Sequence, residues 1–144
     1  MTVTSESCFL DSNIWLYALL KERQPSLEEV QKTIVTTRLI DAPGVVVSIQ
    51  VINEVSTNLI KKAHFSESQI QSLIQSFYNG CQVIVADQAL LTLASETRSR
   101  YSISFWDGLI VAAALTSNVP TLYSEEMQDG LKVFDQLTIT NPFL

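Results

Sequence analysis

Short apolar runs alternate along this chain with longer segments in which apolar residues recur at helical spacing. The short runs, several of them rich in β-branched residues, predict strands at 8–11, 45–48, 81–86, 119–124 and 133–142. The longer segments predict helices at 14–20, 26–40, 49–62, 66–80, 87–100 and about 104–117. Strands that alternate with helices indicate βαβ units, so we predict an α/β protein with a mostly parallel sheet covered on both faces.

The length of 144 residues suits a single domain over residues 1–144 with a full hydrophobic core. The net charge of −6 argues against a protein that binds nucleic acid through a broad basic face. The longest apolar run, residues 109–115, is shorter than the roughly 20 residues that cross a bilayer, and no signal-peptide pattern opens the chain. We therefore expect a cytoplasmic protein without a membrane partner, in which Cys8 and Cys81 are free thiols.

Carboxylates recur where predicted helices and turns begin. Asp11 follows the first strand, Glu54 lies about two turns into the helix after the second strand, and Asp107 opens the apolar helix SFWDGLIVAAAL. A fourth group lies in the turn SEEMQDG, residues 124–130. Ligands of parallel α/β sheets bind beyond the carboxyl ends of the strands, so these acids are expected to converge. Their mutual repulsion would be relieved by a divalent cation with a preference for oxygen ligands, Mg²⁺ or Mn²⁺.

Each acid also has a simpler local explanation. Asp11 can be a plain helix cap, and the spacing from Ser104 to Asp107 matches a capping box. Glu54 lies at the border of the apolar stripe of its helix, where a solvated glutamate is common. The turn 124–130 has the composition of an ordinary acidic surface turn. The argument for a site therefore depends on all four segments together.

These four segments resemble the motifs of PIN-domain ribonucleases. FLDSNIWLYALL resembles the first motif, VVSIQVINEV the second, SFWDGLIVAAAL the third and TLYSEEMQDG the fourth. Bacterial chains of this size often resemble the VapC-type toxins of toxin–antitoxin pairs. The resemblance implies a three-layer α/β/α sandwich and Mg²⁺- or Mn²⁺-dependent cleavage of RNA.

The resemblance also assigns roles to individual residues. Asp11, Glu54 and Asp107 match the first three acids of the family. At the fourth position many relatives have Asp where this chain has Glu126, whereas others carry the acid three residues later, where this chain has Asp129. The expected catalytic acids are Asp11, Glu54, Asp107 and Glu126, and the expected metal ligands are these four and Asp129. Small polar residues that could orient the ligands are Ser12, Asn13 and Ser104.

The resemblance further implies a homodimer and a cognate antitoxin protein that blocks the acidic groove. One alternative is a degenerate PIN fold that binds RNA or a partner protein without catalysis. Another is a phosphatase of the haloacid dehalogenase type, but this requires a second aspartate where the chain has Asn13. His64 is the single histidine, which excludes a ribonuclease mechanism that uses two histidines.

Overall fold

The computed structural model describes residues 7–21 and 23–144. Its strands are β1 (Cys8–Leu10), β2 (Val45–Ser48), β3 (Gln82–Ile84), β4 (Thr121–Tyr123), β5 (Lys132–Val133) and β6 (Leu137–Thr140). Its helices are α1 (Ser12–Leu19), α2 (Leu27–Asp41), α3 (Ile49–Ala63), α4 (Glu67–Gly80), α5 (Gln88–Arg100) and α6 (Phe105–Thr116).

The strands form one sheet in the order β3-β2-β1-β4-β6-β5, which is parallel except for the pairing of β5 with β6. This confirms the predicted α/β class with a mostly parallel sheet. The chain leaves β1 toward β2 and β3 on one side, and later returns to β4 and β6 on the other. The carboxyl ends of β1 and β4 therefore border the point where the strand order reverses, which is where such sheets form a ligand-binding crevice.

Helices cover both faces of this sheet. The face of α6 is almost entirely apolar, and residues 110–115 are all buried against β2, β4 and α5. In the other helical layer, α1 contacts α2 and α3, and α3 contacts α4. Complete burial of a valine, leucine or isoleucine contributes about 1.5–3 kcal/mol, so the sheet and α6 supply much of the stability. The resulting architecture is the expected three-layer α/β/α sandwich.

Small polar residues determine where the helices begin. Ser48 and Ser104 cap α3 and α6, and their hydroxyl oxygens accept hydrogen bonds from the backbone N–H groups of Val51 and Asp107. Ser26 forms a reciprocal capping box with Glu29 at the start of α2. Each such cap stabilises its helix by about 1 kcal/mol.

The prediction of a single last strand at 133–142 is wrong, because the segment folds into a hairpin of β5 and β6. Phe134 and Asp135 take left-handed backbone angles, with φ of 50° and 53°, and Gln136 N–H donates to Val133 C=O at 3.0 Å. The Tyr101 hydroxyl accepts a hydrogen bond from the Phe134 N–H at 2.8 Å, and the two rings pack edge to face. Aspartate tolerates left-handed angles in tight turns better than phenylalanine does, so both Asp135 and the contacts of Phe134 with Tyr101 favour the hairpin.

Within the described ranges, no helix combines the length and apolar character needed to cross a membrane.

Candidate active site

Asp11 lies at the switch point of the sheet, directly after the central strand β1. Its N–H donates to the C=O of Tyr123 at 3.0 Å, which extends the pairing of β1 with β4 by one residue. Its carboxylate accepts hydrogen bonds from the Ser12 N–H at 2.8 Å, the Ser124 hydroxyl at 2.9 Å and the Asn13 amide at 3.2 Å. Asp11 therefore caps α1 and also connects the ends of the two strands, so its two proposed roles are compatible.

Ser124 is a fully buried residue that organises the turn after β4. While its hydroxyl donates to Asp11, the same oxygen accepts hydrogen bonds from the N–H groups of Glu126 at 3.3 Å and Met127 at 3.2 Å. The Asn13 side-chain oxygen accepts from the Glu125 N–H at 3.1 Å. These contacts fix the fourth motif against the first. Sequence reasoning assigned no role to Ser124, although its place at the head of the motif was visible.

Glu54 and Asp107 approach Asp11 from two other segments. Glu54 lies in the second turn of α3 and is half-buried, and Asp107 lies in the first turn of α6. Because α6 follows α5, Asp107 reaches the site from a helix–helix connection and not from the end of a strand. The N-terminus of α6 nevertheless ends at the same edge of the sheet.

The pKa values of Asp11 and Glu54 reflect burial and repulsion by neighbouring negative charges. Burial raises the pKa of Asp11 from 3.8 to about 6, and the negative charges of Glu54 and Asp107 add to the increase, while the hydrogen bonds from Ser12 and Ser124 oppose it. Burial also raises the pKa of Glu54, again with a contribution from Asp107, and here Glu126 contributes as well. Four carboxylates from four separate segments are therefore close enough to interact electrostatically.

The structure brings Glu126, but not Asp129, to this cluster. Glu126 and Glu54 line a polar groove of about 440 Å³, hereafter the acidic groove, together with Ser12, Asn13, Leu16, Asn53, Thr57, Asn58 and Lys62. The Asp129 carboxylate instead accepts a hydrogen bond from the Asn141 N–H at 2.7 Å and so holds the C-terminal segment. Of the two candidates for the fourth acid, Glu126 lines the groove and Asp129 holds the C-terminal segment.

A partly buried ion pair between Lys32 and Glu125 holds the turn that carries Glu126. The Glu125 carboxylate accepts hydrogen bonds from the Tyr17 hydroxyl at 2.5 Å and from the Lys32 ammonium at 2.6 Å. Burial alone would raise the pKa of Glu125, but the hydrogen bonds from Lys32 and Tyr17 outweigh it and lower the pKa. Since Lys32 lies on α2, this contact fastens the fourth motif to the helical layer beside the groove.

The donor set of the cluster fits a hard divalent cation bound partly through water. Among the described residues, no group of three or more His, Cys, Asp or Glu side chains is arranged to hold an ion directly. Magnesium, however, keeps several waters and is usually bound through only one or two carboxylates. A carboxylate offers about four acceptor positions. Three hydrogen bonds to Asp11, one of them on Oδ1, leave that oxygen able to accept a further ligand.

Fold and site together define an α/β protein whose acidic groove lies at the switch point of a parallel sheet. Comparison with known families matches residues 8–131 to the PIN domain. The chain therefore belongs to the PIN domain family, whose members are generally ribonucleases that depend on divalent metal ions. A comparison with curated protein sequences finds no significant match.

Solved structures with the same fold include toxins of toxin–antitoxin pairs. A toxin–antitoxin complex from Klebsiella pneumoniae matches with a TM-score of 0.66 and 20% identity, over 94% of this chain and 98% of the other. VapC20 from Mycobacterium tuberculosis, a sarcin–ricin loop cleaving toxin, matches with a TM-score of 0.59 and 20% identity, over 81% and 87%. VapBC2 from Rickettsia felis, bound to a promoter DNA fragment, matches with a TM-score of 0.60 and 19% identity, over 93% and 97%. At these identities the likeness shows a shared fold, so the resemblance to VapC-type toxins is confirmed at that level.

Proposed function

We propose that this protein is a Mg²⁺- or Mn²⁺-dependent endoribonuclease that hydrolyses RNA phosphodiesters. The observation that carries the proposal is the convergence of four acids at one edge of the sheet, where Glu54 and Glu126 line one groove and the charges of Glu54 and Asp107 act on Asp11. Membership of the PIN domain family supports the reaction class. Burying the Asp11 carboxylate beside other negative charges is costly unless a cation joins them, so a purely structural role would leave the cluster unexplained.

The residues of the acidic cluster and of the groove divide the work. Asp11, Glu54, Asp107 and Glu126 would hold the ion, partly through water, and the bound ion would lower the pKa of a coordinated water and offset charge on the phosphate. Ser124 and Asn13 keep the Asp11 carboxylate in one orientation. Lys62 brings a positive charge to the wall of the groove, where a phosphate of the RNA backbone would lie. Attack by water predicts products with 5′-phosphate and 3′-hydroxyl ends.

The direct test is RNA cleavage by protein purified free of any partner, with the divalent cation titrated. We expect no cleavage in a chelator, restoration by Mg²⁺ or Mn²⁺, and no restoration by Ca²⁺ at the same concentration, since Ca²⁺ prefers more ligands at longer distances. The ends of the products identify the attacking group. RNA binding without cleavage under every metal condition would support the alternative, a degenerate PIN fold that binds RNA or protein without catalysis.

Replacing each of the two acids in the fourth motif by its amide separates the role of Glu126 from that of Asp129. We expect Glu126→Gln to lower RNA cleavage roughly tenfold or more, because it removes a charge from the groove. Asp129→Asn is the matched control, since it is expected to cost about 1 kcal/mol of stability through the contact with Asn141 and to leave cleavage within about twofold. Initial cleavage rates and urea unfolding of both variants measure this. A large loss of cleavage in Asp129→Asn with full activity in Glu126→Gln would reverse the assignment.

We further propose that the protein is the toxin of a type II toxin–antitoxin pair, acts as a homodimer and is inhibited by an antitoxin. The toxin–antitoxin complexes among the structures with this fold support the proposal. A cavity of about 550 Å³ adjoins Glu125 and Glu126, and its other wall carries the exposed side chains of Val30 and Ile34 on α2. An antitoxin segment with apolar residues and an arginine would fit this surface and its neighbouring acids. A reading frame for such a protein beside the gene, and inhibition of cleavage by its product, would test the pairing.

A further inference from the structure

A second pocket adjoins the acidic groove on the side of α5 and α6. This pocket, hereafter the apolar pocket, has a volume of about 450 Å³. Its apolar wall is formed by Ile84, Leu90, Leu91, Trp106, Leu109 and Ala113. Asn53 and Glu54 line both this pocket and the acidic groove. The two spaces therefore adjoin each other along one turn of α3, so that a ligand bound in the groove lies next to the apolar pocket.

An exposed aromatic ring forms the rim of the apolar pocket. The Trp106 side chain is 63% exposed although it immediately precedes Asp107 in the sequence. Its backbone C=O accepts a hydrogen bond from the Gln50 amide at 3.3 Å, which joins the start of α6 to α3. A large ring held on a fixed backbone beside a phosphate-handling site is the kind of surface on which unpaired bases stack.

A guanidinium group extends this rim. The Arg98 guanidinium carbon lies 4.1 Å from the centre of the Phe105 ring, and its Nη1 donates to the Phe105 C=O at 3.2 Å. The Phe105 ring packs edge to face against Trp106 at 5.3 Å. Gly108 leaves the room for this arrangement, because a Cβ there would lie 2.7 Å from Arg98 Cγ. An arginine has five N–H donors, so Arg98 can hold Phe105 and still bind a phosphate.

We propose that the apolar pocket holds one unpaired nucleobase of the RNA, stacked on Trp106, with a neighbouring backbone phosphate on Arg98. The proposal rests on the proposed function, since it takes RNA as the substrate of the acidic groove. The volume leaves ample room for one base, the shared lining at Glu54 places that base beside the acidic groove, and Asn53 offers an amide for the edge of the base. Because the chain has a net charge of −6, a phosphate would bind only where a local positive charge is present, and Arg98 supplies one beside Trp106.

The test is binding of single-stranded RNA in a chelator, where no cleavage is needed for a signal. Short homopolymers of adenylate, cytidylate and uridylate serve as probes, and tryptophan fluorescence reports on Trp106, because the chain's other tryptophan, Trp15, is buried with its N–H bonded to the Leu10 C=O. We expect RNA to quench the fluorescence, and Trp106→Ala to weaken binding roughly 5- to 100-fold as measured by anisotropy of labelled RNA. Trp106→Phe should retain most of the affinity.

Tyr78→Ala is the matched control, because Tyr78 is a similarly exposed aromatic on α4 that does not line the apolar pocket. It should bind RNA as the wild type does. Unchanged affinity in Trp106→Ala would overturn the proposal. Sedimentation of the same variants tests the rival occupant, a second copy of this chain. If Trp106→Ala loses RNA affinity only because a dimer dissociates, the proposal is also overturned, and the apolar pocket is an interface between two copies.

Failure of this proposal is separable from failure of the proposed function. Wild-type protein that quenches with RNA but never cleaves it in Mg²⁺ or Mn²⁺ would keep the base pocket and refute the nuclease. Protein that cleaves RNA while Trp106→Ala binds it normally would keep the nuclease and refute the base pocket.

Discussion

Asp11→Asn is expected to reduce metal-dependent RNA cleavage at least about 100-fold, since substitutions even in the supporting shell of metal ligands cost roughly 10- to 100-fold. Asp11 connects the ends of β1 and β4 and has an acceptor position left on Oδ1. An amide at this position preserves the shape of the side chain but removes its charge. The initial rate of RNA cleavage at saturating Mg²⁺ measures the effect.

Circular dichroism and a matched control keep this test interpretable. Asparagine keeps only one of the two carboxylate oxygens, so part of the hydrogen bonding from Ser12, Asn13 and Ser124 is lost, which offsets the relief of charge repulsion. Circular dichroism should still show a folded protein with the secondary structure of the wild type. Asp41→Asn is the matched control, because Asp41 is exposed at the end of α2. This variant should cleave RNA at the same initial rate as the wild type. If wild type, Asp11→Asn and the double variant Asp11→Asn/Asp107→Asn all degrade RNA equally, the activity belongs to a contaminant.

The approach of the first two acids followed in part from topology. Parallel strands end at one edge of a sheet, so Asp11 after β1 and the start of the helix that carries Glu54 after β2 lie at the same edge. Asp107 follows α5 and not a strand, so its place beside Asp11 did not follow from strand order. The helix start at Ser104 was also predictable, because it depends only on the local spacing of Ser104 and Asp107. The general architecture therefore needed only the order of elements and their hydrophobic pattern.

The contacts that sequence reasoning missed join residues distant in the chain. Lys32 and Glu125 are 93 residues apart, and the Ser124 hydroxyl bonds a carboxylate 113 residues away. The hydrophobic periodicity of the sequence does not predict such contacts, because they depend on how the helical layers pack against the sheet in three dimensions. The choice between Glu126 and Asp129 stayed open in the sequence for the same reason, since it depends on whether the carboxylate faces the groove or the Asn141 N–H.

The raised pKa of Asp11 predicts an unusual pH dependence of stability in the absence of metal. Between the ordinary value of 3.8 and about 6, the native state keeps a proton that the unfolded chain releases. The native state binds more protons in this window, so the free energy of unfolding falls as the pH rises through it. A shift of about two units corresponds to on the order of 2–3 kcal/mol, with the full penalty present above about pH 6.

The comparison of wild type with Asp11→Asn isolates this contribution from all other titrating groups. In a chelator, we expect the stability of the variant relative to wild type to increase by on the order of 2–3 kcal/mol between about pH 4 and about pH 7. Addition of Mg²⁺ near neutral pH should stabilise the wild type and not the variant, because only the charged carboxylate attracts the ion. Urea unfolding at a series of pH values measures both effects. A stability difference that stays constant across the window would show that Asp11 is not a buried, repelled carboxylate, and the electrostatic case for a metal at the switch point would fail with it.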